Sequence, residues 1–100
     1  MPETVLRFRI DADHPALPGH FPGQPIVPGV VLLDRFAAAL EQAGGGTLAG
    51  LPAVKFLAPL LPEQDAELHW RRDGTRVRFR IEHAGRAIAS GEAELAGGVA

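Results

Sequence analysis

Residues 14 to 34 read His-Pro-Ala-Leu-Pro-Gly-His-Phe-Pro-Gly-Gln-Pro-Ile-Val-Pro-Gly-Val-Val-Leu-Leu-Asp, and no other stretch restricts the fold so tightly. Pro15, Pro18, Pro22, Pro25 and Pro28 each fix φ and remove a backbone donor, while Gly19, Gly23 and Gly29 open backbone angles that other residues avoid. Neither a helix nor a strand survives that density of breakers. The sequence therefore predicts a constrained loop that presents its side chains in fixed places. Two polar side chains stand out: His20 inside the loop, and Asp34 just inside the apolar run that begins at Val30.

Pro28-Gly29 closes the loop, and residues 30–43 contain neither Gly nor Pro. This predicts a helix with its N-terminus at Gly29, where the first amides lack intrahelical acceptors and attract negative charge. Val30, Val31, Ala37 and Ala38 lie three or four residues from Asp34, so no lysine or arginine of the same helix shares its face. Asp34 is thus expected to be a buried carboxylate in an apolar stripe.

The string from His20 to Asp34 resembles the active-site signature of hot-dog-fold 3-hydroxyacyl-acyl-carrier-protein dehydratases, whose catalytic pair is a histidine and an acidic residue at this spacing. Val54-Lys55-Phe56-Leu57-Ala58-Pro59-Leu60-Leu61-Pro62 is similar to the strand and turn that follow the family's helix, and the likeness covers most of the chain. Two positions depart from the pattern. Asp34 stands where the general branch of the family has Glu, while the branch that also isomerises its product has Asp. Glu63 stands where the family usually has Gly after the Leu-Pro turn, a change expected only to alter a surface turn.

The resemblance implies a lyase that removes water from a 3-hydroxyacyl thioester on an acyl carrier protein, in fatty acid, polyketide or aryl-polyene type biosynthesis. Such chemistry needs a base at the carbon beside the carbonyl, a donor for the enolate oxygen and an acid for the departing hydroxyl. His20 suits the first, because an unperturbed imidazole is largely neutral at pH 7. The Gly29 amide suits the second, and Asp34 the third, directly or through a water. The family's dimer would set His20 of one subunit against Asp34 of the other, with Phe21, Ile26, Val30, Leu33 and Phe56 lining an acyl tunnel. The partner is expected to be a second copy or a related hot-dog subunit. Neither a cofactor nor a metal is implied. Competing readings are a non-catalytic hot-dog subunit or acyl-binding module that completes a partner's site, and a thioesterase on the same fold.

One hundred residues, 46% hydrophobic and 22% charged, suit a single domain over residues 1–100 with a limited core of its own. The absence of cysteine excludes disulfides and a thiolate nucleophile and is compatible with the cytoplasm. A formal net charge of −2 argues against nucleic acid, and no apolar run approaches a membrane span.

Period-2 alternation predicts a strand over 4–10, with Leu6, Phe8 and Ile10 inward, and others over 66–71 and 76–81, while 53–57 reads as a strand after Pro52. Asp73-Gly74 and Ala84-Gly85 mark hairpin turns. A last strand presents Ala87, Ala89, Gly91 and Ala93 as a small-residue face suited to a close helix. The helix is apolar nearly all round and is expected to be wrapped. The pattern is therefore α+β, with a curled antiparallel sheet around one central helix, and the resemblance implies that this is the hot-dog fold. Residues 71–86 hold six arginines against Asp73 and Glu82. They form either a solvated strand face or, at Arg76, Arg78 and Arg80, a docking surface for an acidic carrier protein or the phosphate of its phosphopantetheine arm. His14, beside Asp11 and Asp13, is read as solvated rather than metal-binding, and His69 and His83 as surface residues.

Overall fold

The computed structural model describes residues 3–12, 26–44 and 46–96. Among them the order is β1 (Thr4–Arg9), α1 (Gly29–Gln42), β2 (Leu48–Phe56), β3 (Asp65–Asp73), β4 (Arg76–His83) and β5 (Arg86–Leu95). The strands form one antiparallel sheet in the order β1-β3-β4-β5-β2. Both expected hairpins form. At the β4–β5 corner Ala84 and Gly85 have φ of 50° and 81°, the left-handed pair whose twist matches that of the flanking strands.

The alternation in β3 and β4 turns Ala66, Leu68, Trp70, Val77, Phe79 and Ile81 to one face, where they are buried. α1 adds Val31, Leu32, Phe36, Ala39 and Leu40. Phe36 is fully buried and stacks on Phe79, with ring centroids 4.2 Å apart and planes inclined by 26°. Such a pair adds roughly 0.5–1.5 kcal/mol beyond the area it buries.

Four sequence expectations are corrected. The single sheet covers one side of α1 only, so Val30, Asp34, Arg35, Ala38 and Glu41 are exposed and the helix is not wrapped all round. In β1 Phe8 is buried, as is Ile10 just beyond it, but Leu6 is exposed. β2 begins at Leu48 and runs through Pro52, with register shifts between Leu48 and Gly50 and between Gly50 and Ala53. Pro52 is tolerated because β2 is an edge strand whose outer side needs no donor.

The small-residue face of β5 is the fourth. Ala89 and Ala93 are fully buried. Ala87 is exposed, because a register shift between Ile81 and Glu82 sets it opposite Glu82. Gly91 answers to β2 rather than to the helix: a Cβ there would stand 2.2 Å from the Ala53 carbonyl oxygen and 3.0 Å from Val54 Cα. Gly91→Ala is therefore expected to push β2 away from β5 and cost about 1–3 kcal/mol, the usual range for overpacking. Urea unfolding of the two proteins checks this, with a lowered midpoint as the expected result.

Candidate active site

The start of α1 is built from backbone. The Val27 N–H donates to the Leu60 carbonyl at 2.8 Å, which fixes the chain just before Pro28. The Pro28 carbonyl then accepts from Val31 N–H at 3.0 Å and from Leu32 N–H at 3.4 Å, and among the described residues no side chain caps the helix. Among the described residues no acceptor faces the Gly29 and Val30 amides. The Phe56 ring lies directly on Gly29: a methyl group at that Cα would come within 2.6 Å and 2.8 Å of two ring carbons. Ile26, Val27, Gly29, Leu32, Phe56 and Leu60 line an apolar pocket of about 430 Å³ at this helix end. Depressions of about 520 Å³ and 670 Å³ elsewhere are lined largely by charged side chains. The apolar pocket is the one of these three that borders the first amides of α1.

Of the residues singled out from the sequence, Gly29, Ile26 and Phe56 meet in this pocket. His20 and Phe21 lie outside the described residues. Leu33 is half-buried and Val30 is 63% exposed, and neither lines the pocket. Asp34 is exposed, which corrects the expected burial. It stands two residues from Phe36, about 200° round the helix, so the rotation that stacks Phe36 on Phe79 turns Asp34 to the opposite side.

The flanks of the Pro/Gly-rich loop are both held by the connection between β2 and β3. Its far end is tied at Val27 to Leu60, as above. At its near end Ala12 N–H donates to Glu63 Oε2 at 2.8 Å, and Glu63 N–H donates to the Ile10 carbonyl at 2.8 Å. Glu63 has φ of 69°, the left-handed region that favours glycine. Its carboxylate thus does more than decorate a surface turn, a role the sequence did not signal.

Arg76, Arg78 and Arg80 alternate with the buried Val77, Phe79 and Ile81, so they face away from α1. Each is paired. Arg76 meets Glu94 at 2.7 Å and Glu92 at 3.7 Å, and Arg78 meets Glu92 at 3.6 Å. Arg80 bridges Glu3, at 2.7 Å, and Glu82. The hydrogen bond from Arg80 holds the Glu3 carboxyl below the usual carboxylate range, and the bonds to Glu3 and then Glu82 raise the Arg80 guanidinium.

His69 is drawn into the same network, with its side chain 12% exposed rather than on the open surface. Its Nδ1 lies 3.2 Å from Glu3, and its buried Nε2, without a hydrogen-bond partner, lies 3.4 Å from Glu67 and 3.7 Å from Glu82. Glu67, His69 and Glu82 bring donor atoms within 4.8 Å of one another. The second oxygens of both carboxylates already meet Arg7 and Arg80, so the cluster reads as an ion-pair network.

The sequence model of the ApeI-like family, described as ApeI dehydratase, matches residues 2–92. The chain belongs to the ApeI-like dehydratase family. Among curated proteins it is similar to the 3-hydroxyacyl-(acyl-carrier-protein) dehydratase FabZ of Ruminiclostridium cellulolyticum, 32% identical over 94% of this chain and 76% of that protein. It also resembles FabZ of Haemophilus influenzae, 37% identical over 60% of this chain and 47% of the other. The chain spans about half the length of several such relatives. Among solved structures it is similar to a chain of the dehydratase heterocomplex ApeI:P from Xenorhabdus doucetiae, with a TM-score of 0.77 at 27% identity over 92% of this chain and 85% of that one. These neighbours bear out the hot-dog fold of this ApeI-like chain.

The Arg80–Glu3 pair gives a pH prediction. Because the folded Glu3 carboxyl titrates below its ordinary value, the pair contributes stability above the ordinary carboxylate range and loses it as pH falls through the depressed folded value. In Arg80→Ala the Glu3 resonance should titrate nearer the ordinary value, and stability should depend less on pH in that acid window. Carboxyl NMR titration together with unfolding at several acid pH values checks both.

Proposed function

We propose that this chain converts a 3-hydroxyacyl thioester on an acyl carrier protein to the trans-2-enoyl thioester and water. The observation that carries the reading is the start of α1: its first amides, which find no acceptor among the described residues, lie beside an apolar pocket at Gly29. Membership of the ApeI-like dehydratase family supports it. His20 takes the proton from the carbon beside the carbonyl, and the Gly29 amide stabilises the enolate oxygen. Asp34 gives a proton, directly or through water, to the hydroxyl that leaves as water. No cofactor or metal takes part. Residues 1–100 act as one dehydratase unit in the cytoplasm, a setting compatible with a cysteine-free chain.

The active unit in this reading is a dimer. Asp34 is exposed beside Val30 and Ala38, and Phe56 and Leu57 are each more than half exposed. A second chain over this surface would take Asp34 out of water and bring it against the partner's His20. Phe21, Ile26, Val30, Leu33 and Phe56 would then line the acyl path. The partner is a second copy or a related hot-dog subunit, and the heterocomplex described for the Xenorhabdus neighbour supports the latter option. Docking of an acidic carrier protein on Arg76, Arg78 and Arg80 would compete with Glu92, Glu94, Glu3 and Glu82. We assign those arginines to salt-sensitive encounter rather than to the bound geometry.

The test is incubation with 3-hydroxyacyl carrier proteins, with water loss read by intact mass. His20→Ala and Asp34→Asn should each lower kcat by about 10²–10⁴-fold. Losses below about tenfold in both variants would reject the assignment in favour of an accessory subunit.

A further inference from the structure

The connection between β2 and β3 holds both flanks of the Pro/Gly-rich segment within a few residues of each other. Leu60 takes the amide of Val27 at the far flank, and Glu63 takes the amide of Ala12 at the near one, each at 2.8 Å. The turn is braced internally, because Leu61 N–H donates to Gln64 Oε1 at 3.0 Å. Glu63 also donates its own N–H to the Ile10 carbonyl. One residue thus grips the chain on both sides of Asp11, backbone to backbone at Ile10 and side chain to backbone at Ala12. It does so from φ of 69°, a conformation in which a non-glycine residue is disfavoured and glycine is not. A glycine would fit that backbone better but could not supply the carboxylate.

We propose that Glu63 is a positioning residue for the reaction: its carboxylate fixes where the chain leaves β1 and so where the segment carrying His20 begins. This rests on the dehydratase reading for its catalytic consequence, but not for the clamp itself. The near flank has no strand ladder to hold it, since β1 ends at Arg9, and at Ala12 the Glu63 carboxylate takes the place of a ladder acceptor. With the carboxylate gone, Ala12 loses its acceptor while the Val27–Leu60 bond at the other flank remains. The start of the segment would then drift relative to the Gly29 amide. A misplacement of about 1 Å at a catalytic group is enough to cost up to about 10²-fold in rate.

Three variants separate this from an ordinary structural role. Glu63→Gly removes the carboxylate and relieves the left-handed backbone, so its Tm should stay close to that of the parent. Its kcat on 3-hydroxyacyl carrier protein should nonetheless fall about ten- to a hundredfold with KM little changed. Glu63→Gln keeps an oxygen that accepts from Ala12 N–H and should restore most of kcat. Glu63→Ala should lose both kcat and Tm. Amide exchange at Ala12 and the His20 ring resonances, assigned by comparison with His20→Ala, supply a readout independent of turnover.

In Glu63→Gly the Ala12 amide should exchange faster and the His20 signals should move, and both should return in Glu63→Gln. Unchanged Ala12 exchange in Glu63→Gly would overturn the clamp. Faster exchange with unmoved His20 signals and unchanged kcat would overturn the positioning role. If the parent protein dehydrates no carrier-bound substrate, the dehydratase reading falls by itself. The His20 signals then decide whether Glu63 positions that segment, and unmoved signals overturn it.

Discussion

The stack of Phe36 on Phe79 sets the rotation of α1, and the rest of the molecule follows from that rotation. With the ring fully buried, Val31, Leu32, Ala39 and Leu40 are carried into the sheet and Val30, Asp34 and Ala38 are carried out. The same orientation lays Gly29 against Phe56, where only a residue without a side chain fits the ring as placed, and leaves its amide at an apolar pocket. One packing decision thus separates the Gly29 amide, the oxyanion donor in the proposed reaction, from Asp34, its proposed acid. Within a single chain the two lie on different sides of the helix. In the proposed reaction a second chain bridges that separation.

A second constraint works on the loop from outside the helix. Between Ala12 and Val27 the chain leaves and rejoins the connection between β2 and β3, gripped at Glu63 and Leu60. Fixing the two flanks lowers the number of conformations available to the intervening prolines and glycines. Pre-organisation of that kind suits a site whose reacting groups must sit still before substrate arrives.

Much of the scaffold was legible because its signals are local. Alternation in β3 and β4, the turn at Ala84-Gly85 and the helix start at Gly29 each depend on residues a few positions apart, and each appears where the sequence puts it. What escaped is what depends on distant chain. An apolar helix of Val, Leu and Ala carries little preference for which side faces the sheet, so Asp34 was placed in the core when the ring of Phe36 turns it outward. Pro52 and the small residues around it conceal an edge strand whose bulges let it pass a proline. Ala87 leaves its expected face through one register shift between β4 and β5, where Ile88 is the extra residue. The arginines of β4 found their acids on β5 and at Glu3, a register no spacing within β4 encodes. The signature from His20 to Asp34 points to the family, and Glu63, expected only to alter a surface turn, holds Ile10 and Ala12 at the near flank of that segment.

The central claim is that the reacting site forms only between two chains, with His20 from one and Asp34 from the other. Mixing inactive His20→Ala with inactive Asp34→Asn, after subunit exchange has been confirmed, tests it directly. A shared site predicts that water loss from 3-hydroxyacyl carrier protein reappears in the mixture, because the mixed dimer holds one site with both native residues. A mixture as inactive as its components, with mixed dimers demonstrably formed, would contradict the account and place both residues in the site of one chain.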